Sequence, residues 1–380
     1  MKAYLTRRIL LIIPTFIGIS IITFLMVQLS PGNPAMAKLN SMEGAMGANS
    51  VPQEIIDQTM KMYGFDKPMH IRYIKWMGDL VTLDFGNSFK DGRPVLERIT
   101  GERGISLTFW RNSSFWSSPI MITIQLNTIA LVLIYLVSIP VGTYSATHQY
   151  TRSDNAITLV LFILYSLPSF WVAMLLMYFL GGGGGSATLH TLCENGFARI
   201  GIVEWGAVQW LLEHVLHFRW FPIYGFGTAG SNEWPFWQWF TDRLWHFCLP
   251  VFCLTYGGFA TISRYARAGL IEVVRQDYIR TSRAYGFSER IVIFKYALRN
   301  SLIPIITILG TLIPSMIGGS VIIESIFSIP GMGRLFYESI LGRDYPTVMG
   351  IFSITAILTL VGLIISDILY AITDPRIKFE

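Results

Sequence analysis

The stretch Asp277-Tyr278-Ile279-Arg280-Thr281-Ser282-Arg283-Ala284-Tyr285-Gly286-Phe287-Ser288-Glu289-Arg290 sits between two membrane-length apolar runs and continues into Ala297-Leu298-Arg299-Asn300-Ser301-Leu302-Ile303-Pro304. Its residue types suit contact rather than bond breaking. As a short helix, Tyr278 to Gly286 can turn Arg280, Thr281 and Arg283 toward water or a partner while Ile279, Ala284 and Tyr285 pack, and Gly286 permits a sharp exit or a close approach. A rigid, partly polar protrusion of this kind can pass force between a soluble motor and a membrane path. A basic loop retained on the inner side of a bilayer would have the same charge, so charge alone does not separate the two readings.

Elsewhere the chain offers little material for catalysis, and no catalytic residue is expected. Gly181 to Gly185 lacks the Lys-Ser/Thr ending of a phosphate loop, which leaves a flexible hinge as its reading and no ATP bound there. His246 lies beside an apolar run, but neither Gly-x-Ser-x-Gly nor His-Glu-x-x-His accompanies it. Cys193, Cys248 and Cys253 are too few and too scattered for a disulfide framework or a spaced zinc site, so no metal is expected. Cys248 and Cys253 read as small hydrophobes that pack within a span.

The elements that must position the polar stretch follow from composition. Of 380 residues, 52% are hydrophobic and 14% charged, against about 25% charged in soluble domains. The chain therefore reads as one membrane-embedded unit over residues 1–380, in the all-α class. Six runs can cross about 30 Å of hydrocarbon as helices: Ile9–Leu29, Ile120–Ala146, Ile157–Leu180, Phe247–Tyr265, Ser301–Phe327 and Thr347–Ala371. The first follows Lys2, Arg7 and Arg8 like a signal peptide, but it is too long for an h-region and Ser30-Pro31-Gly32-Asn33-Pro34 has no small-x-small cleavage pattern. Pro250 and Gly257-Gly258 interrupt the fourth, marking a kink or a close helix contact.

Basic residues near span ends stay on the cytoplasmic side. Lys2, Arg7 and Arg8 place the N-terminus inside. The 266–300 loop agrees, with Arg267, Arg275, Arg280, Arg283, Arg290, Lys295 and Arg299 against Glu272, Asp277 and Glu289. Six crossings return Arg376 and Lys378 to the same side. The formal charge of +5 is thus explained by orientation, and nucleic acid is not an expected partner. Two sizeable loops, 31–119 and 181–246, fall outside, with a short third at Ser328 to Pro346. Pro52 to Gly64 has helical spacing in the first loop. In the second, Trp205, Trp210, Trp220, Trp234, Trp237, Trp239 and Trp245 read as interfacial anchors rather than a cation cage.

Polar residues within spans carry a functional expectation. Glu324 and Asp367 lie near span ends, where headgroups or a neighbouring helix can pair with them, and Glu324 is the candidate for lining a pathway. Gln125 and Asn127 qualify more weakly. Pro168 and Pro140 are expected to kink helices, and Gly318-Gly319 to let helices approach closely.

Six co-linear segments carry a family resemblance. "YIRTSRAYGFSERIVIFKYALRNSLIPIIT" resembles the cytoplasmic signature loop of permease subunits in binding-protein-dependent ABC importers of the dipeptide/oligopeptide group. "YLTRRILLIIPTFIGISIITFLMVQLSPGNPA", "YGFDKPMHIRYIKWMGDLVTLDFGNSF", "SLPSFWVAMLLMYF", "VIIESIFSIPGMGRLFYESILGRDYPTVMG" and "SDILYAITDPRIKFE" are similar to further segments of the same subunits. Two departures stand out. Arg280, Thr281 and Ser282 occupy the start of the general EAA motif and Leu298-Arg299 replaces its Leu-Pro, as in the peptide-importer variant. The Gly181 to Phe218 region is longer than usual, and its amphipathic part around Val203 to Phe218 suits a partner or the membrane surface.

The resemblance implies a subunit of the bacterial inner membrane that pairs with a second, homologous permease. Each permease would dock one of two cytoplasmic ATPase subunits through its coupling loop, with Tyr278, Arg280, Thr281, Arg283, Ala284 and Gly286 as the docking residues. ATP and Mg would be bound by those ATPases and no cofactor by this chain, while an extracytoplasmic substrate-binding protein delivers peptide or a similar solute. A stand-alone secondary transporter or channel would need its own ion site, with inverted repeats or paired buried carboxylates. An intramembrane hydrolase would need a nucleophile and base. The sequence supplies neither convincingly.

Overall fold

The computed structural model describes residues 2–29, 67–101, 113–180, 221–222, 224–228, 230–231, 234–302, 304–306, 308 and 319–373. Its helices are α1 (Lys2–Leu29), α2 (Met69–Val81), α3 (Val95–Thr100), α4 (Ser113–Trp116), α5 (Pro119–Thr147), α6 (Arg152–Ser166), α7 (Ser169–Leu180) and α8 (Phe236–Val274). There follow α9 (Asp277–Ala284), α10 (Glu289–Ile291), a π-helical turn (Val292–Ala297), α11 (Leu298–Ser301), α12 (Val321–Ile326), α13 (Met332–Leu341) and α14 (Tyr345–Thr373). No strand occurs among the described residues. Among them α1, α5, α8 and α14 are long and apolar enough to cross a membrane, and the bent pair α6–α7 makes a fifth crossing if taken as one. The expected run Ser301–Phe327 lies partly outside the described residues. So do the helix expected at Pro52 to Gly64, the Gly181 to Gly185 hinge, the amphipathic stretch 203–218, Trp205, Trp210, Trp220, Cys193, Gly318, Arg376 and Lys378.

The chain divides into two compact units, the first comprising 1–123, 310–321 and 331–380. Here α1 packs along α14. Phe24 and Val27 meet Val348 and Met349, and Tyr73 and Trp76 of α2 close over them. Tyr73, Trp76, Met77 and Leu80 recur at i, i+3, i+4 and i+7, so α2 lays one apolar face inward. A second cluster joins Leu80, Phe85, Val95, Ile99, Met332 and Ile351. The approach of α3 to α14 is close enough that a Cβ on Gly350 would lie 2.6 Å from Val95.

A buried polar hub ties this unit together. The Asp344 carboxylate has no exposed surface and accepts from Ser88 Oγ at 2.6 Å, the Phe89 amide at 2.9 Å, Arg98 Nη1 at 2.6 Å and Thr347 Oγ1 at 2.7 Å. Four donors on one acceptor-only group satisfy the charge that burial would otherwise penalise. The hub clamps the 88–98 segment to the start of α14.

The second unit comprises 124–309 and 322–330. Its axis is α8, whose 39 residues amount to roughly 58 Å at 1.5 Å per residue, well beyond the span Phe247–Tyr265 read from hydropathy. Pro250 lies inside α8 without ending it. The close-contact expectation for its glycines holds at Gly258, where a Cβ would sit 2.7 Å from Ile134 of α5, while Gly257 faces open space. Nearer the other end, a Cβ on Gly142 of α5 would lie 2.6 Å from the Ala266 Cβ, so small residues let the two helices touch. Cys253 is buried as expected, but Cys248 is exposed, because it lies on the opposite face of α8.

Two spans need correction. Ile157–Leu180 is not one helix: α6 and α7 meet at 96°. Pro168 lacks an amide hydrogen and disfavours helix at the residue before it, and the Leu167 carbonyl at the break accepts instead from Tyr256 Oη at 2.7 Å. Pro140, by contrast, sits inside the continuous α5. The run ending at Phe327 is interrupted at Gly319-Ser320, before the separate α12. Gly319 has φ +68°, a left-handed conformation that glycine adopts without strain, so the turn itself requires this residue.

Candidate functional site

The candidate site is built at the end of α8. Arg275 caps that helix, Gln276 is extended, and α9 starts at Asp277, whose carboxylate in the first turn suits the positive end of the helix dipole. Ile279 roots α9. It is fully buried among Leu270 of α8, Ala146 at the end of α5, and Val292 and Ala297. The π-helical turn explains how the last two reach it: i→i+5 bonding widens the turn, so residues five apart face the same core.

The opposite side of α9 is solvent-facing. Tyr278, Arg280, Thr281, Arg283, Ala284 and Gly286 are all exposed. Arg283 grips Glu289 through two hydrogen bonds, at 2.6 and 3.2 Å, which closes the turn between α9 and α10. That contact holds the Glu289 carboxyl below the usual carboxylate range and pushes the Arg283 guanidinium up. Tyr278 Oη accepts from Asn300 Nδ2 at 2.8 Å, linking α9 to α11. Arg280 lies 3.6 Å from Asp277, both in water, where such a pair contributes little.

Two details depart from expectation. Ala284 and Tyr285 do not pack: Ala284 is exposed and Tyr285 is 79% exposed, because α9 ends at Ala284 and the chain turns away from the core. Gly286 supplies that turn with φ +80°, and a Cβ there would meet nothing within 4 Å, so conformation and not close approach demands glycine. Phe287, Ile291 and Phe294 are also exposed, Phe294 by 63%. No role was assigned to any of these three from residue order alone. Their signal, apolar side chains amid a charged loop, was present but pointed equally to a core.

The remaining expected residues lie apart from this element. Glu324 in α12 has no exposed surface and its carbonyl accepts from the Ile329 amide at 2.8 Å, a packed setting. Pro168 stands at the α6–α7 break. Trp234, Trp237 and Trp245 are exposed, while Trp239 and Phe226 flank the chain's own Arg243 at 4.7 and 4.1 Å. The Asp344 hub and the pairing of Asp154 with Arg267 at 2.8 Å were missed, since each joins residues more than a hundred positions apart.

Long apolar helices with a polar helix rooted beside the end of one of them define a multi-span membrane protein. Comparison with known proteins gives the family. The profile of the "binding-protein-dependent transport system inner membrane component" family matches residues 138–379, and that of its N-terminal region matches 1–108. The chain belongs to this family and is a multi-pass protein of the inner membrane. It is 35% identical, over the whole of both chains, to an oligopeptide transport system permease protein of Bacillus subtilis. It is 31% and 30% identical to dipeptide transport system permease proteins of Alkalihalophilus pseudofirmus and Escherichia coli, each also covered in full.

Proposed function

We infer that this chain is the transmembrane permease subunit of an ATP-driven importer for peptides or similar small solutes, working with ATPase and substrate-binding partners. The partners proposed are a second, homologous permease, two cytoplasmic ATPase subunits and an extracytoplasmic binding protein, with both termini of this chain in the cytoplasm. The chain itself carries out no hydrolysis. ATP and Mg are held by the ATPases.

One observation carries the reading: α9 is fixed to the membrane helices by a single fully buried side chain, Ile279, while Tyr278, Arg280, Thr281, Arg283, Ala284, Tyr285 and Gly286 are left outward. A protrusion rooted in this way moves as a body with α8. ATPase subunits that grip the outward face when they close around ATP would drag α9, and α8 would follow. Nucleotide and solute act only through different affinities for the inward-open and outward-open states. Exposed Tyr285, Phe287 and Phe294 supply the large, rigid contacts that dominate protein interfaces.

Reconstitution tests this. Vesicles holding the two permeases alone should accumulate no peptide against a gradient, and adding the ATPases, binding protein and ATP should start accumulation. Uphill uptake by the permeases without ATPase would overturn the reading in favour of a self-sufficient secondary transporter.

A further inference from the structure

Packing of the first unit uses only one of two apolar faces on α2. Tyr73, Trp76, Met77 and Leu80 turn to the protein, while Ile71, Ile74, Gly78 and Val81 recur at i, i+3, i+7 and i+10 on another side. Ile74 is 67% exposed and Val81 79%, and a Cβ on Gly78 between them would meet nothing within 4 Å. Arg72, Lys75, Asp79 and Thr82 repeat the same spacing one residue on. At 3.6 residues per turn α2 therefore has three sides, one toward the protein, one apolar and bare, and one polar.

Contacts with the two neighbouring spans set the depth of α2. The apolar span of α1 is Leu10–Leu29. Ser20, hydrogen-bonded to Tyr73 Oη at 2.8 Å, lies about 14 Å from the Leu29 end at 1.5 Å per residue, near the middle of a hydrocarbon layer about 30 Å thick. The adjacent Arg72 donates to Gln28, beside that end. Consecutive residues of α2 thus reach levels of α1 about 12 Å apart, and the α2 backbone crosses between them. Farther along α2, Leu80 shares a core with Ile351, about 9 Å into α14 from Tyr345, where that span begins. The whole of α2 lies at the level of one leaflet, and its polar side is the one that reaches toward the Gln28 end.

Depth and roll together are those of a helix lying at a bilayer surface with an apolar flank sunk among acyl chains. We propose that α2 rests in the outer leaflet, with Ile71, Ile74 and Val81 against lipid and Arg72, Lys75 and Asp79 toward the headgroups. Lys75 suits that boundary, because its stem can follow apolar surface while the ammonium stays in water. Lipid already borders this level, since Met26 and Leu29 near the same end of α1 are 67% and 71% exposed. The 88–98 segment that follows α2 is clamped to α14 by Asp344, so a helix held at the lipid surface also sets the height of that clamp.

Spin labels test the contact. A nitroxide is attached to Ile74→Cys or Lys75→Cys in the complete transporter in phospholipid nanodiscs, with Cys193, Cys248 and Cys253 replaced by serine. Oxygen concentrates in hydrocarbon and a nickel chelate in water, so the oxygen-to-nickel collision ratio should be several-fold higher at 74 than at 75. ATP-driven uptake equal to that of the unlabelled parent shows that each labelled fold is kept. Nickel reaching 74 as freely as 75 would put the stripe in water, and neither reagent reaching 74 would put the second permease on it. Either result overturns the proposal. That the leaflet is the outer one rests on the orientation proposed above and is read separately: an impermeant maleimide added to sealed right-side-out vesicles should modify Lys75→Cys. Protection there, with position 74 still in lipid, would overturn the orientation and leave the lipid contact standing.

Discussion

Replacing Asp344 with asparagine is expected to release the 88–98 segment from the start of α14. The carboxylate meets four donors, three on Oδ2 and one on Oδ1. An asparagine keeps one acceptor oxygen, so whichever way its amide turns, an NH₂ group faces a donor. The substitution also strips Arg98 of the counter-ion at 2.6 Å, leaving Asp91 at 3.4 Å as its partner in an ion pair. The Arg98 side chain is 12% exposed, so water compensates poorly. Removing one member of a buried pair costs about 3–5 kcal/mol, which would speed hydrogen exchange at the Phe89 amide by at least about a hundredfold if that amide exchanges through release of the clamp. R98M/D344A should cost less than the sum of its single changes, because neither charge remains buried alone. Hydrogen exchange of the purified complex reads both. Phe89 protection within a few-fold of wild type in Asp344→Asn would refute the argument that this hub holds the unit together.

Ile279→Ala removes a fully buried side chain, at about 2–5 kcal/mol. Membrane insertion should persist while uptake and ATPase stimulation fall, and full uptake would show that α9 needs no such anchor. At Gly286 the φ of +80° in open space makes the defect conformational: Gly286→Val should impair uptake severely and Gly286→Asn mildly, since asparagine tolerates the left-handed region. Equal loss in both would point to a contact instead. The Arg283–Glu289 grip lowers the Glu289 pKa, so its contribution, under about 1 kcal/mol for so exposed a pair, is present above the ordinary glutamate pKa of about 4.3 and lost as pH falls through the depressed one. Glu289→Gln should therefore leave stability near neutral pH almost unchanged, and a large loss there would contradict the pair's exposed geometry.

Much of this architecture was legible in residue order because a bilayer leaves little choice: apolar runs of about 20 residues must be helices. Membrane length did not determine where helices break. Pro168 announced a disturbance, yet the 96° bend leaves the Leu167 carbonyl to Tyr256, 89 positions from Leu167. The short loop read at Ser328 to Pro346 contains α13, since ten helical residues are too few to register as a span. Ser88 and Asp344 are 256 positions apart, and nothing local to either marks their partnership.

The segment from α9 to α11 shows the same division. Ile279 was identified as packing because one apolar residue among polar neighbours in a short helix has nowhere else to go. Tyr285 was misplaced because helical periodicity was carried past Ala284, where the helix ends. Phe294 escaped notice because it sits in a π-helical turn, and a 3.6-residue period assigns faces wrongly there.

The central claim is that the outward face of α9 and the turn after it meets the ATPase. Incorporating a photo-crosslinking phenylalanine analogue at position 285 in the assembled, active transporter tests it most directly, because Tyr285 is exposed enough for the change to leave the fold intact. Illumination should yield a covalent adduct between this chain and an ATPase subunit, with a yield that changes between the nucleotide-free and ATP-bound states. An adduct with lipid or with the second permease in place of the ATPase would contradict the account.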